Sequence, residues 1–272
     1  MRGASRASLS GAKDGLASAV AAGTAVQASE VGAELFAIAG LLDHEPGLRR
    51  ALTNPARDGI ARAGLAESLL AGKVSATTLG QMAALAAGRW SQPGDIADAA
   101  EELGVLAVAQ AADMQGELDE LEDQLFRFSR IVAASPPLRA ALSNRFIPAE
   151  RRADLVATLL TGKVTDAALQ LITQAAAQPR GRSLDLGLAT YANLAAELRQ
   201  RLVAEVHVAT PLTQAQRSRL AAALVAAYGR AVHLNVVLDP QVVGGLSVRI
   251  GDDLINGSVA SRLAELRRDL AA

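Results

Sequence analysis

The chain has 272 residues, half of them hydrophobic and 3% aromatic, with 27 Lys plus Arg set against 28 Asp plus Glu and no cysteine. Balanced charge and few rings exclude a strong electrostatic pull towards nucleic acid or anionic lipid and a base-stacking platform. The lack of thiols excludes disulfides, a cysteine nucleophile and a cysteine-ligated metal. The length allows two or three domains, and the wealth of Ala, Leu and Val favours closely packed helices.

The first thirty residues carry early Arg2, Arg6 and Lys13 before a stretch of small residues, which resembles a targeting peptide. Lys13 and Asp14 interrupt that pattern, so the expectation is a frayed tail leading into a first helix. No uninterrupted apolar run approaches the ~18 residues of a membrane span.

A repeat then organises the chain. "LFAIAGLLDHEPGLRRALTNP" (35–55) aligns without a gap on "LFRFSRIVAASPPLRAALSNR" (125–145), and "LLAGKVS" (69–75) aligns on "LLTGKVT" (159–165), all at an offset of 90. Val31, Leu35, Ile38 and Leu42 form one apolar helical stripe, and Leu118, Leu121, Leu125, Phe128 and Val132 form its counterpart. Pro46, Pro55, Pro136, Pro137 and Pro148 fall between helical runs. Gly72 and Gly162 are placed to close helices in the left-handed conformation, and Ser75 and Thr165 to cap the next ones. Each copy predicts a bundle of five or six helices. Because the offset is shorter than such a bundle, residues 95–115 belong to both copies, and one helix there is expected to be shared.

The last third changes character. Alternation around Val206 and Val208 predicts a strand within 202–209, and Thr213 with Gln216 has capping-box spacing ahead of a helix bearing Leu220, Leu224 and Tyr228. Val232 to Leu238 and Leu246 to Ile250 predict two more strands, and Leu254-Ile255 a short return. Ser258 would cap a final helix striped by Val259, Leu263, Leu266 and Leu270. The fold expected is mostly α: two tandem bundles, 1–100 and 101–202, followed by a small α/β domain, 203–272.

Chemical motifs are weak. "AGKV" and "TGKV" lack a phosphate loop's first glycine, where Glu67 and Ala157 stand, and its hydroxyl, replaced by Val74 and Val164. His44, His207 and His233 are scattered; only the last two, on neighbouring predicted strands, leave a metal pair open beside the plainer reading of a polar sheet face. The carboxylates of 116–123 read as a solvated helix flank. "QPRGRS" (178–183) reads as an exposed loop, with an anion site as the alternative. No catalytic constellation and no cofactor site emerges.

One ordered set of residues is specific. Ala209, Pro211, Leu212, Asp239, Pro240, Gly244, Gly245, Gly251, Gly257 and Ser258 follow one another through the last third. In that order they resemble the delta subunits of the rotary ATP synthase, the bacterial relatives of the mitochondrial oligomycin-sensitivity-conferring protein. The similarity extends upstream over about 99–202, including the arginine loop. Asn256 stands where the family usually has Asp, and the first copy of the repeat is additional to the usual pattern. The resemblance implies a non-catalytic stator subunit without cofactor or metal, peripheral on the cytoplasmic face of the bacterial plasma membrane and membrane-bound only through its complex. It implies that the helical domain binds amino-terminal helices of the alpha subunits and that the last domain holds b-type stalk helices, resisting rotor torque. By family analogy a partner helix lies between the first and fifth helices of the ordinary domain, here about 99–115 and 184–200, with Leu106, Ala107, Leu188, Tyr191 and Ala195 as candidate contacts.

Overall fold

A computed structural model describes residues 3–144, 146–199, 202–228, 232–239, 242, 245–250 and 253–256. It divides into two compact units, Met1–Leu198 and Arg199–Ala272.

The first unit contains eleven helices among the described residues: α1 (Gly3–Ala21), α2 (Ala25–His44), α3 (Pro46–Thr53), α4 (Gly59–Leu70), α5 (Ala76–Ala87), α6 (Asp95–Met114), α7 (Leu118–Ala134), α8 (Pro136–Ser143), α9 (Ala149–Leu160), α10 (Asp166–Ala177) and α11 (Leu184–Arg199). At the 90-residue offset α1 to α6 correspond to α6 to α11, so α6 closes one set of six and opens the next. It runs unbroken through Gly104 and buries fifteen of its 20 residues. A helix buried on nearly every side belongs at the centre of a core. The 100/101 boundary expected from the repeat falls inside this helix, and the two copies share one continuous apolar core.

The amino-terminal segment differs from the frayed tail expected. It is a 19-residue helix that buries Leu9, Ala12, Leu16, Ala17 and Val20. The Ala and Ser that weaken its apolar signal suit it to close packing, because small side chains let helices approach. α2 is long and apolar enough by length and composition to cross a membrane, yet half of that stretch is buried inside the protein. It crosses α6 through a glycine contact: a Cβ on Gly32 would lie 2.5 Å from Val108 Cγ2, and one on Gly104 would lie 2.7 Å from the Phe36 ring.

The repeat extends to side-chain bonds. Glu34 accepts from the Ser75 N–H (2.8 Å) and hydroxyl (2.6 Å), and at the equivalent place Gln124 accepts from the Thr165 N–H (2.9 Å) and hydroxyl (3.0 Å). Ser75 and Thr165 cap α5 and α10 by accepting from the Thr78 and Ala168 N–H groups. Gly72 and Gly162 have φ of 71° and 73°, the left-handed turn expected of them. Lys73 and Lys163 donate to the Leu69 and Leu159 carbonyls, so these ammonium groups finish helices. Arg62 is 4% exposed and donates to the carbonyls of Ala86, Ala87 and Gly88 at the end of α5, and to those of Asn54 and Arg57. Arg152 repeats part of this, donating to Asn144 and Ala177.

The second unit contains β1 (Leu202–Val208), α12 (Gln214–Tyr228), β2 (Val232–Leu238), β3 (Leu246–Ile250) and β4 (Asp253–Asn256), in sheet order β2-β1-β3-β4. β1 pairs parallel with β2 and antiparallel with β3, which pairs antiparallel with β4. A parallel neighbour needs a crossover, and α12 supplies it. Thr213 and Gln216 form the expected capping box, Thr213 N–H donating to Gln216 Oε1 at 2.8 Å and Gln216 N–H to Thr213 Oγ1 at 3.3 Å. Ala204, Val206 and Val208 alternate inward with Val248 and Ile250, and Leu224 packs against them with Leu220 and Tyr228. The predicted last helix and its Ser258 cap lie outside the described residues.

A candidate partner-binding groove

α6 and α11 lie side by side, joined where the Tyr191 hydroxyl donates to Glu101 Oε1 at 2.5 Å. From α1, Lys13 reaches Glu102 on α6 at 2.5 Å and Glu197 on α11 at 3.7 Å. Between the two helices a cavity of about 340 Å³ opens, lined by Asp98, Glu101, Glu102, Arg182, Tyr191 and Leu194 among others. Leu106, Ala107, Leu188, Tyr191 and Ala195 are 0–3% exposed and belong to the bundle core; of the five, Tyr191 also lines this cavity.

The arginine loop is neither simply exposed nor an open anion site. The Arg180 side chain is 9% exposed and its guanidinium is fully engaged. Nε and one terminal nitrogen hold Asp43 at 2.5 and 3.0 Å, and the other terminal nitrogen donates to Glu101 (2.8 Å) and the Ala97 carbonyl (3.1 Å). Asp98 adds a contact at 2.8 Å, and Arg182 binds the second Glu101 oxygen. Two arginines that read as loop polarity are thus spent on carboxylates distant in sequence. Burial would lower the Arg180 pKa, but hydrogen bonding to Asp43 and the charges of Glu101 and Asp98 outweigh it and hold the guanidinium charged. Burial, reinforced by the Glu101 charge, pushes the Tyr191 phenol far up, so it serves as a donor. Burial raises Asp98 as well, with Arg180 opposing and Glu101 and Asp95 adding to the rise.

The remaining sequence candidates separate. In the β1–β2 register His207 faces Val237 and His233 faces Val203. Four strand positions at ~3.3 Å each put the two histidines roughly 13 Å apart along the sheet, too far to share a metal. His207 instead has Nδ1 3.6 Å from Asp239 Oδ2, and His44 Nδ1 meets the Gly40 carbonyl at 2.7 Å. The 116–123 carboxylates form the expected flank, with Glu120 and Asp123 bridged to Arg127. Of the motif residues, Pro211 is exposed ahead of α12, the Asp239 N–H donates to the Val208 carbonyl at 2.9 Å, and Gly245 takes φ of 85° before β3. Pro240, Gly244, Gly251, Gly257 and Ser258 lie outside the described residues. Among the described residues no group of three or more His, Asp or Glu is placed to hold a metal ion.

The model of the ATP synthase delta (OSCP) subunit family matches residues 105–270. The chain belongs to that family. ATP synthase subunit delta of Streptomyces griseus subsp. griseus is 46% identical over 271 residues, covering 100% of both chains. That of Kineococcus radiotolerans is 46% identical over 269 residues, covering 99% of this chain and 97% of the relative. That of Streptomyces avermitilis is 44% identical over 270 residues, covering 99% and 98%. These end-to-end alignments include the first copy of the repeat, so the addition is shared with those relatives. As a delta (OSCP) family member the chain is a non-catalytic stator subunit of the ATP synthase, part of a membrane-associated complex.

Proposed function

We propose that the helical unit grips the amino-terminal helices of the alpha subunits and that the carboxy-terminal module holds the b-type helices of the peripheral stalk. The linkage keeps the catalytic head from following the rotor, on the cytoplasmic face of the bacterial plasma membrane. The observation that supports this most is the concave seam between α6 and α11, the pair of helices that family analogy assigns to the partner. Of the five candidate contacts Tyr191 lines that seam, while Leu106, Ala107, Leu188 and Ala195 are core positions of the same two helices that would have to open to a partner. A partner helix would seat apolar residues at helical spacing against the rim. Holding torque requires slow dissociation, hence a broad desolvated contact of about 1,200–2,000 Å² or more instead of one ion pair.

Crosslinking mass spectrometry on the intact synthase tests the assignment. Links from α6 and α11 to an alpha amino terminus, and from the last module to a b-type helix, are expected; the reverse pattern would overturn it. The module has its own variant. Gly245→Trp puts a bulky side chain at a left-handed position. It should abolish stalk-helix capture in a pull-down while far-ultraviolet circular dichroism keeps the helical signal. Unchanged capture would move the stalk contact elsewhere.

A further inference from the structure

The two copies of the repeat agree in helix order, in a buried arginine each and in the Ser75 and Thr165 caps, yet they differ in chemistry where the first helix of a copy meets the loop before its last helix. In the first copy that joint is built on two serines and a single carboxylate, Asp95, which accepts from the Ser5 hydroxyl at 2.7 Å and the Gln92 N–H at 3.3 Å. Ser5 Oγ accepts from the Ser91 N–H at 2.8 Å, and Ser8 Oγ bonds both the N–H and the carbonyl of Arg89 at 2.9 Å. In the second copy the positions of Ser5 and Ser8 are held by Asp95 and Asp98, Glu101 stands one turn on, and the loop offers Arg180 and Arg182. One bond of this ionic joint leaves its own copy. Arg180 binds Asp43, near the end of α2, in the two-pronged geometry that makes arginine–carboxylate pairs directional. The position equivalent to Asp43 in the second copy is Ala133, so the carboxylate exists only where it faces Arg180. Arg180 also has φ of 48°, the only left-handed non-glycine among the described residues. A left-handed backbone at a residue with a side chain is held against its own preference by the surrounding bonds.

We propose that the Asp43–Arg180 bond is an inter-copy clasp that locks the additional amino-terminal bundle onto the family-type bundle, so that the pair acts as one rigid arm. Its role in torque transfer rests on the stator function proposed above; the rigidity does not. The Gly32–Gly104 crossing lets α2 approach α6 closely through apolar contacts, and Ser29 with Gln170 adds a neutral pair of bonds between α2 and α10. A fully hydrogen-bonded guanidinium shared between α2, α6 and the loop fixes the angle. The additional bundle is then a brace on the family-type bundle, which answers what a second copy contributes.

The test uses the full chain, whose lack of cysteine makes labelling site-specific. Spin labels on Ile60→Cys in α4 and Ile131→Cys in α7, both exposed positions, report the distance between the copies by pulsed electron paramagnetic resonance. The unaltered clasp should give a distribution no wider than the label's own rotamer spread. Asp43→Asn, which leaves Arg180 its Asp98 and Glu101 partners, and Arg180→Met should both widen it. Arg180→Met is read only if its helical signal persists; Asp43→Asn keeps the test open if it does not. Unchanged widths in Asp43→Asn would overturn the clasp. In reconstituted synthase the Asp43→Asn chain should retain ATP hydrolysis and lose ATP-driven proton pumping. Full pumping with a widened distribution would overturn the torque-bearing role, whereas failure of the unaltered chain to restore pumping would count against the stator assignment itself.

Discussion

Among single residues, the buried arginines carry more of the fold than their number suggests. Arg62 donates five hydrogen bonds to main-chain carbonyls, three of them at the end of α5, where no intrahelical donor remains. Arg62→Met keeps most of the packing and orphans these carbonyls, so a loss of about 3 kcal/mol is expected in urea denaturation. Arg152→Met removes two such bonds and should cost about half as much. Glu34 behaves differently. Burial pushes its pKa up, but hydrogen bonds from Ser75 and Thr78 outweigh this, and the net shift is downward. A lowered folded pKa stabilises the protein above the unfolded value, and that contribution is lost as pH falls through the folded one. Glu34→Gln mimics Gln124, which accepts the same pair of bonds at the equivalent site. A pH series of thermal melts should therefore show a weaker decline in Tm on acidification for the variant than for the parent.

At the level of elements, the Gly32–Gly104 crossing sets two effects against each other. Alanine in a helix interior is favoured over glycine by about 1 kcal/mol. A Cβ at Gly104, however, would lie 2.7 Å from the Phe36 ring and 3.2 Å from the Gly32 carbonyl oxygen. Overpacking of that kind costs about 1–3 kcal/mol, so Gly104→Ala should destabilise on balance. Gly64→Ala in α4, where nothing lies within 4 Å of the added carbon, should stabilise by up to about 1 kcal/mol. Opposite signs in paired urea melts would confirm the contact. Most elements were legible in the sequence because their signals are local: the gap-free repeat, the Ser75, Thr165 and Thr213 caps, and the strand alternation. The clasp and the carbonyl-capping arginines were not. Arg180 meets Asp43 across 137 residues and Arg62 meets Ala86 across 24, and an arginine in a loop or on a helix carries no mark of burial. α1 is hidden for a related reason, since alanines and serines carry little apolar signal until a partner helix closes on them. Periodicity marks Leu188, Tyr191 and Ala195 as one helix face, the same whether the occupant is a neighbour or the protein's own core, so the family resemblance alone points to them as contacts.

For the whole molecule, α6 serves both bundles, which has a consequence for where the chain can be cut. The family match begins at residue 105, midway along this helix. A fragment starting there would keep less than the helix its bundle needs. Starting at Asp95 preserves all six helices of the second copy but strips away α1 and α2, baring Gly104 and Val108, the surface that Gly32 and Phe36 covered. Sedimentation velocity should find such a 95–272 fragment self-associating where the full chain sediments as a discrete species. Tandem growth by a common wall is thus hard to reverse: once one partition supports two rooms, neither can be demolished without exposing unfinished masonry, and a lineage returning to a single bundle would first have to resurface that wall with polar residues.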